Sequence, residues 1–172
     1  LKIHRGTVTS QPLKGTAPRH SDPEQDAALA KALLNSEKDR AENVMITDLL
    51  RNDLGQFCET GSVRVTELCG LHSFNNVHHL ISTVEGKLAP GVSAGQMLLA
   101  TSPGGSITGA PKKRAVEIIA ELEPVPRGAY CGSLFILGGE DWLQSSIAIR
   151  TLEVTGNTVH CWGGGGITAS SQ

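Results

Sequence analysis

At 172 residues and 39% hydrophobic content, the chain is long enough for one domain with a sizeable core, and its composition is neither disordered nor membrane-like. The 15 Lys and Arg against 17 Asp and Glu leave a formal net charge of −2, mixed along the chain, so no basic stripe argues for nucleic acid. No apolar run is long enough to span a bilayer, no basic-then-apolar leader opens the chain, and Cys58, Cys69, Cys131 and Cys161 form neither a C-x-x-C pair nor a disulfide framework, so a cytoplasmic protein with reduced thiols is expected.

Residues 2–9 alternate as a strand, and residues 10–24 read as a loop punctuated by Pro and Gly, with Lys14 in it. Ser21, Asp22 and Pro23 open a helix, proline being harmless at the first helical position, and Ala28, Leu29, Ala32 and Leu33 continue it. Ser36 and Asp39 resemble a weak capping box, so the helix either breaks there or runs on. Ala41, Val44, Met45, Asp48 and Leu49 then follow the 3.6-residue period, which sets Asp39 and Glu42 side by side on an adjacent face. Gly61–Leu68 and Asn76–Leu88 are β-rich, and a short helix is expected around Ser93–Ala100. Pro111 begins a helix with Ala115, Ile118, Ile119 and Leu122 on one face, and Pro124 ends it. Three strands are expected over 129–137, 143–154 and 158–163, joined by turns at Gly138–Asp141 and Gly156–Asn157. Hairpin-linked strands imply an antiparallel sheet, so the fold class is α+β with helices packed on one face.

Several residue types in this pattern could carry chemistry. A glycine-rich turn over residues 101–110 stands directly ahead of a helix, where free amides and the helix dipole favour an anion. The glycine spacing of a phosphate loop is met by Gly104 and Gly109, but Ala110 and Pro111 follow and Lys112 comes too late. A carboxylate-binding turn and glycines serving close packing remain open. Glu42 with Asp39 suits Mg²⁺, which binds through one or two carboxylates plus substrate oxygens; a solvated helix face is the competing reading. His78 and His79 are strand neighbours, so only one can point into a given site, as proton donor or as structural ring. Arg150, in an apolar strand, asks for an anion, either a substrate carboxylate or an internal acid. Lys14 is a surface lysine or, if desolvated, a nucleophile.

In chain order, "PLKGTAPR", "AENVMITDLLRNDLG", "VHHLISTVEGKL", "GGSITGAPKKRAVEIIAELEP", "RGAYCGSLFIL", "IAIRTL" and "GGGG" resemble the C-terminal part of the chorismate-utilising enzymes. The resemblance covers essentially all 172 residues. Lys14 in the "PLKGT" run is similar to the aminodeoxychorismate branch, since the anthranilate branch usually carries alanine there.

The resemblance implies part of a layered sandwich whose site lies between sheets and helices. It also implies amination of chorismate to 4-amino-4-deoxychorismate for p-aminobenzoate and folate synthesis, with ammonia from a glutamine amidotransferase partner. In it Glu42 would hold Mg²⁺ against the ring carboxylate, and Lys14 would attack C2 and displace the 4-hydroxyl before ammonia replaces it. His79 would stand near the departing hydroxyl, with His78 turned away. Tyr130 and Arg150 would hold the enolpyruvyl carboxylate with the backbone near Gly166, and Thr16 and Ser106 would line the pocket.

The family's second metal-binding glutamate falls after Gln172, and its large N-terminal half falls before Leu1. Residues 1–172 are therefore expected to be a C-terminal chorismate-binding domain of something longer, weakly active or inactive alone, with Asp39 a candidate substitute ligand. Anthranilate or isochorismate synthesis, and a fragment that only binds substrate, are the alternatives.

Overall fold

The run expected as one strand over residues 2–9 folds back on itself. In the computed structural model, which describes residues 1–139 and 142–167, β1 (Lys2–His4) and β2 (Thr7–Ser10) are joined by Arg5 and Gly6 at φ of 50° and 73°. Two successive left-handed residues give the hairpin turn whose twist matches its strands. The expected loop that follows is largely a strand, β3 (Leu13–Pro18), with a proline at its end where no ladder donor is required.

Helix α1 (Pro23–Leu34) starts on Asp22, whose carboxylate accepts from the amides of Glu24 and Gln25. The chain then breaks and restarts as α2 (Glu37–Gly55) because Ser36 caps the new helix by accepting from the Asp39 amide. The buried face of α2 is Asn43, Ile46, Thr47, Asp53 and Leu54, whereas Val44 and Met45 are half exposed. The expected stripe is thus rotated. Polar side chains that bond to the sheet share the buried face with Ile46 and Leu54, and periodicity in apolar residues alone does not register them.

Strands β4 (Arg64–Ser73) and β5 (Val77–Lys87) form a hairpin, and α3 (Ala94–Thr101) opens on a reciprocal Ser93–Gln96 capping box. A single turn, α4 (Gly105–Thr108), lies inside the glycine-rich segment, and α5 (Lys112–Leu122) is preceded by Pro111 at its cap. Then come β6 (Ser133–Gly138), β7 (Trp142–Ile147), β8 (Leu152–Thr155) and β9 (Thr158–Cys161). The long strand expected over 143–154 is two, interrupted where Arg150 takes φ 54°. Of the turn expected at 138–141, Glu140 and Asp141 lie outside the described residues.

Every strand pair described is antiparallel. The long β5 has β4 along one edge and β2 and β3 end to end along the other; β1, β7 and β6 follow beyond β2, and β8–β9 pair separately. Helix α2 lies on β3, β4 and β5, with α1 beside it and α3 against β7. Ile3, Val8, Leu54, Val84, Met97 and Leu143, all fully buried, form the centre of this sheet-on-helix core. Each such side chain contributes about 1.5–3 kcal/mol on burial. All four cysteines are free thiols, and among the described residues no helix is long and apolar enough to cross a membrane.

Candidate functional site

The site is built around a defect in β3. Leu13 faces Ile81 and Thr16 faces His79, so Lys14 and Gly15 both stand opposite Leu80 on β5. Such a bulge bends the strand and re-aims its side chains. Gly15 sits at φ 95°, and a Cβ there would lie 3.0 Å from Asp39 Cβ and 3.2 Å from Leu33 and Leu80, so only glycine allows α1 and α2 this close. The bulge directs Lys14 to α2, where Nζ lies 3.8 Å from Glu42 Oε2. Both side chains are about one-third exposed, at 34% and 29%, so they are accessible from one side.

Two strand positions on, Thr16 Oγ1 is 2.8 Å from His79 Nδ1. The Phe74 ring meets the imidazole edge-on at 5.7 Å, and among the described residues Nε2 of His79 has no hydrogen-bond partner. Strand alternation sends His78 to the opposite, helix-covered face. There it is 3% exposed, with Nδ1 2.8 Å from Ser73 Oγ and Nε2 3.1 Å from Asp26 Oδ1. Asp26 also takes a two-pronged bond from Arg19 and one from the His20 amide; Arg19 above all, then that amide, holds its carboxyl well below the usual carboxylate range. His78 therefore ties α1 to the β4–β5 hairpin; among the expected residues the structure pairs Lys14 with Glu42 and Thr16 with His79.

The remaining expected residues lie on α4 (Ser106), before β6 (Tyr130), between β7 and β8 (Arg150) and after β9 (Gly166). Ser106 is exposed on α4, and beneath it the Leu49 side chain of α2 fills the space a Cβ on Gly105 would need, while a Cβ on Gly104 would lie 2.8 Å from the Ile147 side chain. Gly104 and Gly105 thus serve close packing. Glu42 and Leu49 lie on the same helix, about 10 Å apart along its axis. Arg127 Nη1 donates to the Ile107 carbonyl at 3.1 Å, and its guanidinium lies 5.9 Å from the centre of the Tyr130 ring. Tyr130 stacks on Trp162 at 6.3 Å, and its hydroxyl would be 2.6 Å from a Cβ on Gly164. Burial, followed by the neighbouring Cys131 thiol, raises the Tyr130 phenol, so it remains a donor at neutral pH. The Cys131 amide bonds to the Ala148 carbonyl and the Ala148 amide to Gly132, which lays the Tyr130 segment beside the one carrying Arg150. Arg150 is exposed in the break between β7 and β8, not buried in a strand as expected, so its charge is not forced to find an internal partner. Gly166 is exposed in the segment after β9.

Asp39 Oδ2 accepts from Ser36 Oγ at 2.5 Å. Among the described residues no three His, Cys, Asp or Glu converge on a metal position. Glu42 fits as a single carboxylate ligand of a hard cation whose other ligands are substrate oxygens.

Three polar residues escaped the sequence reading. Asn43 and Ser82, both 0% exposed, bond to each other beneath Lys14, and Asp53 receives Lys112 Nζ at 2.7 Å, joining α2 to α5. Counting from Ile46, Leu50 and Leu54 instead of Val44 and Met45 would have set Asn43 and Asp53 on the buried face. A groove of about 650 Å³ beside that ion pair, lined by Leu49, Asn52, Pro103 and Val116, contains none of the expected site residues.

The family described as chorismate binding enzyme matches residues 1–172. The chain is 52% identical over its whole length to aminodeoxychorismate synthase component 1 of Klebsiella aerogenes, covering 38% of that relative. It is 48% identical, again over its whole length, to anthranilate synthase component 1 of Streptomyces coelicolor, covering 34% of it. The crystal structure of anthranilate synthase component I from Streptococcus pneumoniae superposes with a TM-score of 0.77 at 42% identity, over 88% of this chain and 33% of that one. The chain thus spans less than two-fifths of the length of these relatives.

Proposed function

Because the chain belongs to the chorismate binding enzyme family, we propose that the polypeptide it represents aminates chorismate to 4-amino-4-deoxychorismate, with Lys14 as the nucleophile. The observation that carries this reading is the placement of the Lys14 amine on a strand bulge, 3.8 Å from Glu42 and two residues from the Thr16–His79 pair. Lys14 Nζ forms a bond to C2 of the ring as the double bonds shift and the C4–oxygen bond breaks. The Lys14 amine gives up a proton as it is alkylated and His79 passes one through Nε2 to the departing hydroxyl, which leaves as water, so the ring ends with as many protons as it began. Ammonia then bonds to C4, the electrons shift back, and the bond between C2 and Nζ breaks, returning the lysine. A Mg²⁺ ion on Glu42 would neutralise the ring carboxylate and withdraw electron density from C2. Tyr130 and Arg150 are suited to the enolpyruvyl carboxylate, one as a phenol donor and one as a planar guanidinium fork, with Ser106 and the backbone near Gly166 alongside. Ammonia would come from a glutamine amidotransferase subunit.

Intact-mass analysis of the full polypeptide with chorismate, Mg²⁺ and no ammonia tests this. A covalent adduct that vanishes in Lys14→Ala, with 4-amino-4-deoxychorismate formed once ammonia is added, is the expected result. The similarity to anthranilate synthase favours a second reading, in which 2-aminated or hydroxylated product forms without any adduct. Product chromatography in the same experiment decides between them.

A further inference from the structure

Helix α2 grips Lys14 at both ends. Glu42 meets its amine, and the next residue, Asn43, meets its backbone: Asn43 Nδ2 donates to the Lys14 carbonyl at 3.4 Å and to the Leu80 carbonyl at 3.1 Å. These two carbonyls belong to the residues that face each other across the β3 bulge. The carboxamide oxygen is used as well, accepting from Ser82 Oγ at 2.5 Å and from Thr47 Oγ1 at 3.3 Å. Ser82 in turn accepts from the Cys69 amide at 2.9 Å. Cys69 lies in a second bulge, on β4, where Leu68 and Cys69 both stand opposite Ser82 and Cys69 takes φ 51°.

From this chain of bonds we infer that Asn43 is a positioning residue for Lys14: its carboxamide locks the β3 bulge against the β4 bulge and so holds the Lys14 amine beside Glu42. This rests on the reading of Lys14 as nucleophile. The site requires two donors and one acceptor on a single planar head. Asparagine supplies all three, a leucine of similar size none, and an aspartate only acceptors facing two carbonyls. A bulge interrupts the ladder that would otherwise fix the backbone, so without Asn43 the Lys14 carbonyl is free to shift and the amine with it. Displacement by about 1 Å is enough to cost roughly 10²-fold in rate.

The test is Asn43→Leu in the full polypeptide, with Ser93→Ala, which removes the α3 cap elsewhere in the fold, as the control for lost stability. Expected are a fall in kcat of roughly 10²-fold and an equal slowing of Lys14 adduct formation. KM for chorismate is expected to stay within about threefold, as for a loss confined to the chemical step. Ser93→Ala should leave kcat unchanged, and Asn43→Leu added to Lys14→Ala should cost nothing further. Acetylation of Lys14 by acetic anhydride, followed by peptide mass spectrometry without chorismate, reads the amine's placement independently of the reaction. If Lys14→Ala aminates at full rate, the functional reading falls, while altered Lys14 acetylation in Asn43→Leu still supports the positioning role. A folded Asn43→Leu with wild-type kcat and wild-type acetylation overturns the inference. If that variant does not fold, Ser82→Ala, which loosens the same carboxamide by one hydrogen bond, is expected to lower kcat roughly fivefold, and no change there overturns it.

Discussion

Thr16 and His79, 63 residues apart in sequence, meet at 2.8 Å across β3 and β5 with the hydroxyl on Nδ1. The Thr16 contact occupies Nδ1, so Nε2, without a partner among the described residues, is the ring nitrogen open to pass a proton. In the full polypeptide His79→Ala is expected to lower the rate of adduct formation roughly 10²–10⁴-fold. Thr16→Val removes only one orienting hydrogen bond, about 1 kcal/mol, so roughly fivefold is expected. Steady-state kinetics of the two variants check the order; a Thr16 effect larger than that of His79 would contradict it.

The Lys112–Asp53 pair, at 2.7 Å, leaves Asp53 almost without solvent, with side-chain exposures of 21% and 7%. Lys112→Met strands the Asp53 carboxylate, and a loss of about 2–4 kcal/mol is expected, below the fully buried case because the lysine reaches water. Adding Asp53→Leu should restore part of that loss, since no charge then remains buried. Urea denaturation of the single and double variants measures both values, and additive losses would refute the coupling.

Asp26 sets an acid limit on stability. Its folded pKa is depressed by Arg19 first, then by the His20 amide and His78, against an unfolded value of about 3.9. A depressed carboxyl contributes stability that is fully present above the unfolded pKa and is lost as pH falls toward the folded one. The stability difference between wild type and Asp26→Asn should therefore be constant above about pH 5 and shrink steadily below about pH 3.9. Thermal melts from neutral pH down to strong acid test this. An unchanged difference throughout would show that Asp26 is not paired as described.

Gly105 is tested by its own replacement. A Cβ there collides with the Leu49 side chain, so Gly105→Ala should push α4 away from α2 at a cost of about 1–3 kcal/mol. The double variant with Leu49→Ala makes room and is expected to recover part of the loss. Were the turn's glycines an anion loop instead, the second change would recover nothing.

The elements with strong local signals are legible in the chain itself. Asp22–Pro23 and Ser93 start helices as expected, β5 follows its β-branched run, β4 starts three residues into its expected run and continues five residues past it, and the α+β class follows from the order of hairpins and helices. The rotated face of α2 is not legible, because Asn43, Thr47 and Asp53 are polar by type and buried by partner. Nor is β3, whose prolines and glycine read as loop and whose strand conformation depends on pairing with β5, more than 60 residues away in sequence.

What the sequence by itself determined is therefore local chemistry: which residues can cap, turn, donate or attack, and, through the order of its long motifs, the family in which they act. Only the tertiary structure decided what those residues touch. It gave Asp39 to Ser36, His78 to Asp26 and His79 to Thr16, and set Lys14 on a bulge held by Asn43. The physical reason is that a side chain's type is set at its own position. Its partner, its burial and the register of its strand are set by segments that meet only when the chain has folded.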